Sequence, residues 1–481
     1  MPARLPRPNC ALIHPAAADW AAGPGFTLVD PATEAEVAEI PVCGTADVDS
    51  AVAKAKAFSR QLALGAVQLD PLEILERLIA EIEARQAAFA EAVAREMGAP
   101  LDFATDKQVG TALAHLHTIL KAARENPSEQ ATPPGQESHF VRHEPLGVAA
   151  LITPWNWPLN QVALKVGAAL AAGCTMILKP SEYATRSALL FAECMEAAGA
   201  PEGLFALLSG DGRTGAALAA HPGVDVISFT GSTSVGRAIA AAAGANLTPC
   251  LLELGGKSAN ILFADCDVDT AVTQGLAHCF RNAGQSCNAA SRMLVAREIY
   301  AEVCARATTE AETYRFDSPL KPGGHQGPLV NHAQFDHVQA AIRKAQSQGA
   351  RLLTGGPGRA DGHNKGFYPR PTVFADVTPE MALFHEEAFG PVLSLTPFDG
   401  EEDAIALANE SAYGLAGYIQ TGSRETAMRV ARQLEVGMVQ INGQSRVEGA
   451  PFGGRKASGY GREAGLWGIR AFQTVKSISG V

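Results

Sequence analysis

The sequence lacks a basic surplus: 50 acidic residues against 39 Lys and Arg leave a net charge of -11. A chain that tracks a nucleic-acid backbone needs a basic footprint, so this balance argues against a nucleic-acid partner. Long apolar runs are also missing. The longest, Val166 to Leu178, is broken by Gly167 and Gly173 and falls short of the ~20 residues that a membrane span requires. Near the start, Arg4 and Arg7 precede His14, Pro15 and Asp19, which interrupt anything like a secretory apolar segment. The cysteines number nine, an odd count, with no Cys-x-x-Cys among them. That pattern offers neither a disulfide framework nor a zinc ribbon, and most of these thiols are expected to be small buried hydrophobes. No internal repeat or low-complexity block is present. A cytoplasmic protein with no metal site and no membrane partner is the expectation.

What is present is a folding composition. Hydrophobic residues make up 47% and charged residues 19%, far from a disordered mixture, and 481 residues imply two or three domains. Residues 70–98 read as one helix with Asp70 as N-cap, Pro71 at its first position and Glu73 closing a capping box. Gly98 and then Pro100 end it. Residues 124–138 lose that periodicity and read as a segment crossing between domains. From Gly147 onward, short apolar strands (148–152, 175–178, 204–208, 224–229) alternate with capped helices. This is the pattern of parallel strands with right-handed crossovers, hence an α/β fold with a doubly wound sheet. Residues 256–440 repeat the alternation as a second α/β unit. Residues 469–478 alternate apolar and polar, reading as an antiparallel strand with one wet face. A terminal strand needs a partner, which another subunit could supply.

Several segments could carry chemistry. Phe229-Thr-Gly-Ser-Thr-Ser-Val-Gly236 falls where a strand turns into a helix. Gly231 and Ser232 there would let backbone approach a pyrophosphate at the helix N-terminus, although an ordinary strand–turn–helix corner gives the same local pattern. Lys179-Pro-Ser-Glu182 follows the neighbouring strand, where open α/β sheets bind nucleotides; a solvated charged loop is the competing reading. In Pro154-Trp-Asn-Trp-Pro158, two prolines and two tryptophans hold the amide of Asn156, the kind of fixed donor an oxyanion hole uses. A packed aromatic corner would look similar.

Glu253-Leu-Gly-Gly-Lys-Ser258 and Gly284-Gln-Ser-Cys287 form a chemical pair. A thiolate is the nucleophile, and a nearby carboxylate can act as general base. Cys287 stands out from the other cysteines because Gly284, Gln285, Ser286 and Asn288 are loop-formers that would expose it, whereas Cys174 and Cys304 lie in apolar sequence. His278, nine residues upstream of Cys287, raises a Cys–His hydrolase as an alternative, but its place on a predicted helix favours a structural role.

In this order, PWNWP, KPSE, FTGST, ELGGKS, GQSC, Glu386-Glu-Ala-Phe-Gly-Pro-Val392, Pro451-Phe-Gly-Gly454 and Lys456-x-Ser-Gly459 resemble the aldehyde dehydrogenase superfamily over nearly the whole chain. The resemblance implies a hydrolytic, non-acylating enzyme that oxidises an aldehyde to an acid with NAD(P). It makes Cys287 the nucleophile, Asn156 with the Cys287 backbone N–H the oxyanion hole, and Glu253 the base for the hydrolytic water, with Lys165 in the same catalytic group. Cofactor contacts are implied at Thr153, Trp155, Lys179, Ser181, Glu182, Gly212, Phe229, Gly231, Ser232, Glu387 and Phe389. The implied fold is a doubly wound NAD-binding domain (1–123 and 146–255), an α/β catalytic domain (256–455) and a small β oligomerisation arm (124–145 and 466–481), assembled as a dimer or tetramer.

The Glu182 carboxylate would repel a 2′-phosphate, so NAD is favoured over NADP. By the resemblance, the aldehyde tunnel is lined by Asn160, Gln161, Leu164, Ser286, Asn288, Arg446 and Phe452. This lining suits a polar, aromatic or carboxylated aldehyde. Arg446 could hold the distal carboxylate of a semialdehyde, unless Glu448 neutralises it or Arg446 is simply a surface residue at the rim. Alternatives are a CoA-acylating relative, which would lack the hydrolytic Glu253, and a non-catalytic homologue acting as a binding or structural protein, which would have lost Cys287, Asn156 or Glu253.

Overall fold

The computed structural model describes residues 25–131 and 138–480, together with the backbone of Ala3–Arg4. Two sheets dominate it. In the first, the strands Phe205–Leu207, Thr175–Pro180, Val148–Thr153, Val226–Thr230 and Cys250–Glu253 lie side by side and parallel, and Gly459–Tyr460 adds antiparallel at the edge. Both faces are covered. Ala149 and Leu151 point into a core shared with the helices Pro71–Ala84, Gln86–Met97, Gly110–Glu125, Pro158–Ala172 and Thr185–Ala197. Val148, Ala150 and Ile152 point the other way, against Thr45–Ala63, Gly212–Ala220 and Thr233–Ala245. Burial on both faces explains why these strands read as continuous apolar runs.

The second sheet has seven strands. Arg351–Thr354, Thr372–Ala375, Val392–Phe398, Arg292–Ala296, Ala259–Leu262, Ala416–Gln420 and Met438–Ile441 follow in that spatial order, all parallel except the first. Its helices also cover both faces, with Val268–Phe280 and Tyr300–Ala311 on one side and His332–Ser347 on the other. The segment 254–258 leaves the C-terminal end of one sheet and enters the N-terminal end of the next. The chemistry-bearing loops therefore meet between the two sheets.

Three expectations need correction. The helix expected over 70–98 is two helices, with Arg85 (φ -116°) as the break. Asp70 does cap the first, accepting from the N–H groups of Leu72 and Glu73, but Glu73 pairs with Arg77 instead of closing a box. The C-terminal strand is Gln473–Ser479; Ile469 belongs to a short helix, Gly465–Arg470. That strand does not lack a partner within the chain, since it pairs antiparallel with His139–Pro145 over its full length. Within the crossing segment, Glu129–Ala131 adds to the other edge of His139–Pro145, while 132–137 lie outside the described residues.

Candidate active site

Cys287 sits in the loop between the turn Arg281–Gly284 and the strand Arg292–Ala296. The loop is not an exposed one. Gln285 and Ser286 are buried and Cys287 is half-buried. Asn282 and Ala283 both adopt positive φ (58° and 54°), and Gly284 follows at 76°, so three successive left-handed residues turn the chain sharply. A Cβ at Gly284 would overlap the backbone of Gly390, and one at Gly256 would overlap the carbonyl of Cys287. These two close approaches bring GQSC against EEAFGPV and ELGGKS.

The Asn156 amide nitrogen donates to the Gln285 carbonyl at 3.0 Å. The Asn156 carbonyl in turn accepts from Gln108 Nε2 (3.1 Å) and Asn282 Nδ2 (2.9 Å). Gln285 Oε1 accepts from Val330 N–H at 2.9 Å, and Trp157 Nε1 donates to Ser286 Oγ at 2.9 Å. The amide of Asn156 is thus held against the Cys287 loop, with one of its two N–H donors engaged there.

Glu253 ends its strand buried, and neither of its carboxylate oxygens has a hydrogen-bond partner among the described residues. Burial pushes its pKa well above the ordinary carboxylate range. Glu463 pushes the same way, while Lys165, Arg462 and Arg446 oppose them. Lys165 Nζ donates to Glu463 Oε1 at 2.5 Å and to Ser228 Oγ at 2.8 Å, fully enclosed. Burial also raises the Cys287 thiol, helped by Glu387 and Glu253. The thiol and Glu253 therefore share one electrostatic environment.

Toward the first sheet, Lys179 is buried 3.8 Å from Glu182, and burial lowers its pKa, with Glu182 and Asp211 opposing. Ser181 caps the turn that follows, and Gly212 begins the helix capped by Asp211. Ser232 caps Thr233–Ala245 directly after Phe229 and Gly231. Thr153 Oγ1 is buried at the end of its strand with no hydrogen-bond partner among the described residues. Trp155 meets Phe389 edge-to-face at 5.5 Å. Glu387 Oε1 accepts from Gly256 N–H at 3.2 Å, and burial lifts its pKa to about 7. The expected cofactor contacts therefore line the C-terminal ends of the first sheet and continue to Glu387, beside ELGGKS.

The expected tunnel residues divide. Asn288, Arg446 and Phe452 line a cavity of about 430 Å³. Asn160, Gln161, Leu164 and Ser286 are buried and do not line that cavity: Gln161 accepts from Thr230 Oγ1 at 3.2 Å, and Ser286 accepts from Trp157 Nε1. His278 lies on its predicted helix, its ring tilted against Tyr418 with centroids 4.5 Å apart, and its Nδ1 accepts from Ala290 N–H at 3.3 Å. Among the described residues no hydrogen bond joins it to Cys287.

Sequence reasoning missed Glu463, 298 residues from the lysine it neutralises, and Gln108 and Asn282, which hold Asn156. None carries a local signal, because each works through a distant partner. It also passed over Lys257, whose buried Nζ has no described partner and whose pKa burial, with Arg292, lowers to about 8.

Residues 20–478 match the family model described as "Aldehyde dehydrogenase family". The chain belongs to the aldehyde dehydrogenase family. Among its relatives, a 3-succinoylsemialdehyde-pyridine dehydrogenase of a Pseudomonas species is 44% identical over 94% of each chain. An aldehyde dehydrogenase from Bartonella henselae superposes with a TM-score of 0.93 at 45% identity, covering 96% of this chain and 97% of that one. A mutant of aldehyde dehydrogenase C from Pseudomonas syringae, complexed with NAD+ and octanal, gives 0.92 at 42% identity over 95% and 94%. No helix among the described residues is long and apolar enough to cross a membrane.

Proposed function

We propose that the protein oxidises an aldehyde to its carboxylic acid with NAD, through a thioester on Cys287. The observation that carries this reading is the convergence of Cys287, the clamped Asn156 amide and the unpartnered carboxylate of Glu253 from three separate segments.

Cys287 adds to the aldehyde carbon, and the oxyanion that forms faces the Asn156 N–H left free by Gln285 and the Cys287 backbone N–H. Such a donor contributes ~3–4 kcal/mol in comparable sites. NAD, when bound, supplies the hydride acceptor that converts the thiohemiacetal to the thioester. Glu253 then deprotonates water, which attacks the thioester and frees the acid. Its raised pKa makes it a stronger base than an exposed glutamate. Lys165 and Glu463 act on Glu253 from behind, in opposite senses.

The residues fit NAD. Lys179, Ser181, Glu182 and Gly212 would hold the adenosine end; Phe229, Gly231 and Ser232 the pyrophosphate; and Thr153, Trp155, Glu387 and Phe389 the nicotinamide end. The orphaned Thr153 hydroxyl and the donors of the Ser232-capped helix suit a polar, anionic ligand there. The syringae relative, complexed with NAD+, supports the same cofactor. Domain limits of 1–123 with 146–255, 256–455, and 124–145 with 466–481 are consistent with the sheets. Among the described residues the strand Gln473–Ser479 pairs on one side only, which supports assembly into dimers or tetramers through that edge. A cytoplasmic location agrees with the composition.

The test is absorbance at the NADH wavelength over an aldehyde panel, with NAD or NADP, with and without CoA. NADH formation that needs no CoA and vanishes in Cys287→Ala is expected. Turnover only with CoA would replace this reading with the acylating one.

A further inference from the structure

Ala283 is the misfit of the turn that leads into the Cys287 loop. Its φ of 54° lies in the left-handed region, as do those of Asn282 (58°) and Gly284 (76°). Glycine enters that region freely and asparagine more readily than most residues, whereas the alanine side chain gains nothing there. A left-handed alanine persists only where its surroundings hold it.

What holds this one comes from 43 residues further along the chain: Gln326 Oε1 accepts from the Ala283 N–H at 3.2 Å. Four residues on, the Val330 N–H donates to Gln285 Oε1 at 2.9 Å. Gln285 Nε2 and the Gln285 backbone N–H both donate to the Asn282 carbonyl, at 3.0 and 3.1 Å. The turn is thus closed on itself and tied to the segment 326–330. That segment is itself fixed. The Gln326 N–H donates to the Arg315 carbonyl at 2.8 Å, and the Gln326 carbonyl accepts from Asp317 N–H at 3.1 Å. A Cβ on Gly327 would overlap the carbonyl of Gly98, and one on Gly98 would come within 2.7 Å of Pro328. Gly98 ends the helix Gln86–Met97, so the segment is packed against that helix end. The same turn also bonds the proposed oxyanion donor: Asn282 Nδ2 donates to the Asn156 carbonyl at 2.9 Å, and the Gln285 carbonyl accepts from the Asn156 amide at 3.0 Å.

We infer that Gln326–Val330 is a strap that locks the left-handed turn, and that Gln326 is a positioning residue which, by fixing Ala283, sets the Cys287 loop against Asn156. This rests on the reading of Cys287 as nucleophile and Asn156 as oxyanion donor. With the Gln326 acceptor gone, Ala283 relaxes toward an ordinary φ and the Gln285 carbonyl turns away from the Asn156 amide. The chemical step then slows, since a misplacement of about 1 Å can cost on the order of a hundredfold. The cofactor contacts along the first sheet are built elsewhere and bind as before.

The experiment compares the full chain with Gln326→Met, which replaces the amide by a thioether, a weak acceptor. The kcat should fall about ten- to a hundredfold, with KM for aldehyde and for NAD little changed. Adding Ala283→Gly, which removes the cost of a left-handed φ, should restore most of the lost kcat, a rescue that a general loss of stability would not show. In an Asn156→Ala background Gln326→Met should cost little more, because the donor it positions is already gone. Gln326→Glu keeps an acceptor in place and should retain most of the parent's kcat, which covers the case of a methionine variant that folds poorly. Independently of turnover, hydrogen exchange in the peptide carrying Ala283 should quicken about five- to tenfold in Gln326→Met. An active parent whose kcat is untouched by Gln326→Met, or an equal loss with and without Ala283→Gly, overturns the positioning role and leaves the dehydrogenase intact. A kcat for Gln326→Glu as low as that of the methionine variant does the same. No NADH from any aldehyde, with the quickened exchange retained, supports the strap and overturns the dehydrogenase reading. No NADH and unaltered exchange overturn both.

Discussion

The Asn156 side-chain amide donates to the carbonyl of Gln285 at 3.0 Å, two residues before Cys287. This bond ties the proposed oxyanion donor to the loop that carries Cys287. Asn156→Ala should therefore lower kcat by about 10²–10³, the range seen when one oxyanion donor is removed. KM for the aldehyde should change little, and steady-state kinetics separate the two effects. A fall confined to KM would place Asn156 in substrate binding instead.

In the proposed mechanism, Lys165 and Glu463 should set the pH at which Glu253 works. Only ionised Glu253 can accept a proton from water, so thioester hydrolysis should rise with pH through its elevated pKa. Glu463 raises that pKa and Lys165 lowers it. Glu463→Gln should accordingly shift the acid limb of the single-turnover hydrolysis profile to lower pH, and Lys165→Met should shift it higher. Lys165→Met also strands a buried carboxylate, with an expected loss of about 3–5 kcal/mol in stability, readable by denaturant unfolding. Limbs that do not move would separate the pair from Glu253.

Stability should respond to Glu253 as well. Its folded pKa lies above its unfolded value of about 4.3. The stability tied to its protonated form is therefore complete below that unfolded value and is lost as pH rises through the folded one. Glu253→Gln cannot ionise, so its Tm advantage over the parent should grow with pH across that window. Thermal unfolding at a series of pH values gives the answer, and a constant difference would contradict the burial argument.

At the proposed adenosine end of the cofactor site, Glu182 sits 3.8 Å from Lys179. Two like charges about 4 Å apart repel by ~1 kcal/mol in water and ~4 kcal/mol near a protein surface. Replacing Glu182 with Gln should therefore raise the NADP-to-NAD ratio of kcat/KM by about tenfold or more, measured by cofactor titration. An unchanged ratio would show that the glutamate swings clear of the 2′ position.

Much of this was legible in the sequence because it is local. Apolar strands buried on both faces declare themselves as short runs, and Asp70, Gly98 and Gly173 mark helix ends by their own chemistry. The motif loops at the strand ends were likewise findable, since a reacting loop needs glycines and small polar residues wherever it is used. The break at Arg85 was not: the apolar period runs unbroken through it, and packing against neighbouring helices decides it. Nor was the pairing of Gln473–Ser479 with His139–Pro145, because strand partners far apart in sequence leave no mark on each other. Glu463 was overlooked for the same reason. Its meaning comes from Lys165, a partner brought to it only by the fold.

The most direct test of the central claim is the intact mass of Glu253→Gln after brief exposure to NAD and an accepted aldehyde, followed by peptide mapping. Without its base the thioester should accumulate. The account predicts about one NADH per active site in a burst, an added mass equal to the acyl group, and that mass on the peptide containing Cys287. A burst with no acyl group on the protein, or with the acyl group on another cysteine, would contradict it.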